Sequence, residues 1–327
     1  MRLIEWAIVG ALIFLPFATV NRIEVETQRK ALLTELRYNA ALDAAVDDAA
    51  RMLTVNANQQ RETQYESAKR VALNKDEAIA AFYRTLYASF GIADDPVAQG
   101  VLGRYIPAIA VIGYDGFYVY AEEEWTGADG NTERKPVWGA KKPYAYADSS
   151  GNSLSFTLDD FVLAYDADSR SWHEGLRADV RHQTNIALLK DAERFEQVRR
   201  STIVRAIEDE LAYRINKHNE SVSRFGLSYT FTLPTISQEE WNNTVDDVGV
   251  LAFIQGIPMG GKFYNHYALG GSRVLKKPEI VGARKGSMKV YYRSTCDFTY
   301  PVEETFSSEK AAAQKGYMPL DCPVSPS

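Results

Sequence analysis

Histidine, cysteine and carboxylate side chains carry most metal and acid–base chemistry, and this 327-residue chain spreads them thinly. The four histidines are His173, His182, His218 and His266. No two of them have the H-x-x-x-H spacing that sets both rings on one helix face around a metal. Paired acids recur at Asp47-Asp48, Asp94-Asp95, Asp159-Asp160 and Asp246-Asp247. Neighbouring residues on a helix or strand point apart, so none of these is a ready-made acid/base couple. "DADSRSWHE" has the opening of a calcium loop but lacks its glycine and its distal glutamate. No G-x-S-x-G nucleophile motif occurs. Neither an enzyme nor a cofactor is expected.

The densest group of functional side chains lies in "VGVLAFIQGIPMGGKFYNHYALGGSRVLKK", with six glycines in thirty residues. "GIPMGGKF" lacks the Ser/Thr of a phosphate loop and no helix pattern follows it. Two readings stand for Gly256, Tyr264, Asn265, His266 and Tyr267. One is a binding loop over 256–273 with exposed aromatics; the other is a tight crossover of core strands whose glycines permit positive φ. Cys296 and Cys322, the only cysteines, fit either a disulfide closing the tail or two unrelated thiols. They are too few for a zinc site.

One further carboxylate stands out. "MRLIEWAIVGALIFLPFATV" is an apolar run interrupted by Glu5. A lone acid in lipid is costly unless it is paired. Residues 3–20 make a short membrane span at about 1.5 Å per residue. A single basic residue before it and "FATV" at its end, a poor cleavage site, favour an uncleaved anchor over a secretory signal.

The elements behind these residues begin with that span. No Pro or Gly interrupts "NRIEVETQRKALLTELRYNAALDAAVDDAARML", so residues 1–53 read as one nearly continuous helix, on the order of 80 Å long. Pro16 is expected to kink it rather than end it. Leu42, Val46, Ala49 and Leu53 form one apolar stripe, and Leu32 with Leu36 a second. "LIEWAIVGAL", with its acid, aromatic and apolar run leading into an amphipathic helix, resembles the start of mature type IV pilin-like subunits, TadE-like pseudopilins in particular. The resemblance implies assembly through Glu5, which would pair with the Met1 amine of a neighbouring copy, and membrane lipid and pilin-like subunits as partners.

Residues 55–63 read as a polar bend, followed by a helix capped by Asn74 with Glu77 and closed at Gly91. From about residue 104 the period turns to strand, with a hairpin at Asp115-Gly116 and a second turn at 149–152. A long helix is expected over 183–219. Its apolar side carries Phe195, Ile203, Ile207, Leu211 and Ile215, its phase slips between Phe195 and Ile203, and Arg194, Arg199 and Arg200 point outward. "GLSYTFTLPTIS" reads as a strand ending at Pro234, and Ser237 as a helix N-cap. "MKVYYRSTCDFTYPVEE" supplies a last strand before a loose tail.

The expected fold class is α+β: a long N-terminal helix, membrane anchor plus amphipathic stalk, carrying an antiparallel-sheet and helix head. The divisions are an anchor at 1–20, a helical stalk or hairpin at 21–95 and a head at 96–327. A net charge of −6 with no dense basic cluster argues against nucleic-acid binding. Arg22, Arg29 and Lys30 after the span would place the head inside by the positive-inside rule. The cysteine pair, the 19 tyrosines and the pilin-like start favour an extracytoplasmic head with a cytoplasmic N-terminus. The expected role is a structural component of a bacterial surface filament or secretion apparatus. The alternative is a tethered sensor or ligand-binding domain, its pocket on the Tyr-rich sheet or in the 256–273 segment.

Overall fold

The computed structural model describes residues 2–54, 73–126, 132–224, 229–259, 261–272, 280–293, 296, 298, 300–306 and 309–320; the side chains of 2–20, 132, 243 and 309–311 fall outside this description. The bend expected at 55–63 also lies outside the described residues. The chain forms two compact units, 1–273 and 274–327. The fold is α+β, with a long N-terminal helix and antiparallel sheets.

The first unit opens with α1 (Arg2–Met52), α2 (Lys75–Phe90) and α3 (Pro96–Gly103). The helix α1 runs through Pro16 without ending. Strands β1 (Ala108–Gly113), β2 (Gly116–Thr126) and β3 (Thr132–Trp138) follow, then β4 (Tyr144–Ala147), β5 (Ser153–Phe156), β6 (Phe161–Asp166) and β7 (Ser171–Leu176). After the short helices α4 (Arg177–Val180) and α5 (Ala187–Lys190) come α6 (Ala192–Ser223), α7 (Gln238–Thr244), β8 (Val248–Met259) and β9 (Lys262–Ser272). One antiparallel sheet runs β3-β2-β1-β8-β9 and a second β4-β5-β6-β7.

The period-2 alternation of β1 and β8 divides their side chains between two layers. Ile109, Val111, Val250, Ala252 and Ile254 join Leu42, Val46, Ala49 and Leu53 of α1 and Phe82 and Leu86 of α2 in one core. The helix α6 packs against β1, β2 and β4. The α2 boundaries follow from local chemistry: Asn74 Oδ1 accepts from the Glu77 N–H, and Gly91 closes the helix at φ 71°. Ser237 and Glu240 form a reciprocal capping box at the start of α7.

Four sequence expectations are corrected. The helix α6 begins at Ala192 rather than 183, because Asp191 takes an extended backbone and accepts the Arg194 N–H at 3.0 Å. Arg199 does not face out. It occupies the gap in the apolar stripe between Phe195 and Ile203, is 3% exposed, and donates to Glu196, Asp246 and the Thr157 carbonyl. Residues 229–236 form no strand. Their backbone is met by side-chain amides: Gln255 exchanges two hydrogen bonds with Thr232 (3.0 and 2.8 Å), and Asn219 two with Phe231 (2.8 and 2.9 Å). Finally, the expected last strand is two strands, and a helix and a short strand follow them within residues 309–320.

Those strands belong to the second unit: β10 (Ile280–Lys285), β11 (Met288–Arg293), β12 (Val302–Phe306), α8 (Glu309–Gln314) and β13 (Met318–Pro319). Its sheet runs β12-β10-β11-β13, with the β13 pairing parallel. Phe306, Tyr317, Ile280 and Ala312 form one small core; Val281, Ala283, Tyr292 and Cys296 form another.

Candidate functional site

The α1 helix is built in two parts. In its last third Ala41, Leu42, Ala45, Val46, Ala49 and Ala50 are buried, as is Leu53 just past its end. Upstream, Ile23, Val25, Leu32, Leu33 and Leu36 are each more than half exposed. The stripe of Leu32 and Leu36 is therefore present but has no cover within the described chain. Polar bonds fix the buried part to the sheet edge. The Tyr264 hydroxyl donates to Asn39 Oδ1 at 2.9 Å, and His266 Nε2 lies 2.9 Å from Asp43 Oδ1. Arg37 donates to the Ser89 carbonyl, and Tyr38 stacks on Phe90 at 4.6 Å. Met1 and the Glu5 side chain lie outside the described residues. Among the described residues no helix is long and apolar enough to cross a membrane.

The 256–267 group is not a loop. It belongs to the β8–β9 hairpin, and alternation divides it between two faces. Tyr264, buried at 2% exposure, and His266 turn to α1; Asn265 and Tyr267 turn away. Gly256 sits at a β-bulge with φ 85°, where a Cβ would lie 2.6 Å from the Tyr229 ring. Its N–H and the Tyr229 hydroxyl both donate to Asn265 Oδ1, at 3.0 and 2.6 Å. The Tyr267 hydroxyl donates to Glu240 Oε2 at 2.7 Å, and this bond to a carboxylate pushes its pKa up to about 12. Burial raises the Tyr264 phenol as well. Each polar tip is already bound within the chain, so the five residues do not converge on a shared site.

The remaining sequence candidates are structural. His218 is buried; burial lowers its pKa and keeps it neutral, and Nε2 meets the Arg104 carbonyl at 2.9 Å. His173 bonds Ser171 at 2.8 Å. Asp48 accepts from Thr85, and Asp159 from Thr157, Tyr114 and the Phe161 N–H. Among the described residues no group of three His, Cys, Asp or Glu is arranged to hold a metal. Cys296 is buried and disulfide-bonded; Cys322 lies outside the described residues.

Two features escaped the sequence reading. One is the pair of buried ionic ties along α6. Arg199 and Arg200 clasp Glu196 and Asp246, and Glu210 accepts from Lys142 and Arg214. Burial alone would raise Glu210, yet those two cations hold its carboxyl below the usual range. The other is the α2 wall, Tyr83 and Tyr87, of a cavity of about 370 Å³ whose opposite lining, Tyr120 and Glu122 of β2, lies on the Tyr-rich sheet where a pocket is the alternative expectation. Its signal was spacing: i, i+4 on a helix and i, i+2 on a strand set each pair on one face.

No protein-family model, no curated protein and no solved structure matches the chain.

Proposed function

We propose that the chain is a membrane-anchored, pilin-like structural component of a bacterial surface filament or secretion apparatus. Residues 3–20, whose side chains lie outside the described residues, anchor it, the N-terminus is cytoplasmic and the head is extracytoplasmic. The observation that carries this reading is the two-part character of α1: one unbroken helix, Arg2–Met52, with an apolar stripe buried from Ala41 to Ala50 and uncovered apolar residues between Ile23 and Leu36. A helix of this kind reaches outward for neighbours. Glu5 fixes the register by pairing with the Met1 amine of the next copy, since an acid in lipid needs a positive mate.

Glu5→Ala tests it. Membrane crosslinking should lose the ladder of oligomers while the melting of the head stays unchanged. Oligomers as abundant as in the wild type would remove the reading. A second reading, a tethered ligand-binding domain, is favoured by the cavity beside β2.

A further inference from the structure

We propose that the cavity between α2 and β2 binds a small organic cation, a quaternary or alkylated ammonium. This deepens the second reading by naming its ligand class, and it stands whether or not α1 assembles with copies. The cavity is walled by Tyr83, Tyr87 and Tyr120, with Ile106 and Ile109 beneath and Glu122 on the rim strand. The Tyr83 ring lies 5.4 Å from Tyr87 and 6.5 Å from Tyr120, so the three rings pack on one another as they line the space. Their negative faces attract a cation too weakly hydrated to prefer water.

Charge completes the site. Glu123 is held by Arg214, and Glu124 by Arg134 and, at 3.7 Å, by Arg224. Glu122 has no ion-pair partner among the described residues, although it lines the cavity and is only half exposed. A carboxylate left without a cation beside three tyrosines is the complement of an ammonium group. Burial raises the phenols of Tyr83, Tyr87 and Tyr120, so they stay protonated at neutral pH. At about 370 Å³ the space suits a free solute.

The test is calorimetric titration of the full chain in dodecyl maltoside, whose headgroup carries no cation. The probes are choline chloride and 3,3-dimethylbutan-1-ol, its neutral isostere. Choline should saturate one site, with the isostere at least about tenfold weaker, since removing the charge removes the cation–π and carboxylate attraction together. Glu122→Gln should weaken choline by about tenfold, with an unchanged circular dichroism spectrum. No saturable choline binding, equal binding of the isostere, or binding to phosphatidylcholine vesicles without binding of free choline would each overturn the proposal. If Glu122→Gln fails to fold, the choline-to-isostere ratio of the wild type decides it.

Discussion

Glu196 shows how single residues hold this head together. The Arg199 and Arg200 guanidiniums bring its carboxyl down to about 2, from an ordinary 4.5. The folded-state value is depressed, so the stabilisation is fully present above about pH 4.5 and is lost as the pH falls towards about 2. Urea denaturation of the wild type and of Glu196→Gln should show a stability gap that narrows from about pH 6 to about pH 3. A gap that stays constant would mean the pair contributes nothing through its charge. Arg199 was hidden from sequence reasoning for a related reason. A charged residue inside a helical stripe reads as surface, and only the fold brings Glu196, Asp246 and the Thr157 carbonyl close enough to satisfy a buried guanidinium.

At the scale of elements, α1 offers an internal control. Leu42 is fully buried and Leu36 is 56% exposed on the same helix. Leu42→Ala should cost the head about 2–5 kcal/mol in urea denaturation. Leu36→Ser should stay within about 0.5 kcal/mol yet weaken crosslinking between copies. Equal stability losses would mean that Leu36 is covered in the folded chain. Elements governed by local rules were legible: the α1 stripe at 42–53, the Asn74 cap, the hairpin signalled by Asp115-Gly116, whose turn falls one residue earlier at Tyr114-Asp115, and the Ser237 capping box. Segment 229–236 was not, because its backbone is satisfied by Gln255 and Asn219, residues whose position no local pattern reveals. The 256–267 aromatics were visible as residues, but the hairpin register that separates their faces was not.

For the whole molecule, the division at 273/274 predicts two unfolding events rather than one. Gly282 in β10 is the position to probe, since a Cβ there would meet Phe306 at 2.6 Å and Tyr317 at 2.9 Å. Gly282→Ala should lower the transition of the second unit by about 1–3 kcal/mol and leave the first unmoved in calorimetry. A single transition shifting as a whole would contradict the division. The cavity also belongs to this scale: Tyr83 and Tyr87 precede Tyr120 and Glu122 by more than thirty residues, and packing alone makes them neighbours.

The unbroken course of α1 has a mechanical corollary. A helix of 51 residues is about 76 Å of unbroken shaft. Asn39 and Asp43 bolt that shaft to β9 through Tyr264 and His266. Torque applied to the N-terminal end of that shaft is passed along it to those two couplings and to the apolar packing of Leu42, Val46 and Ala49. Uncoupling them with Asn39→Ala and Asp43→Ala would leave that packing to carry the load alone.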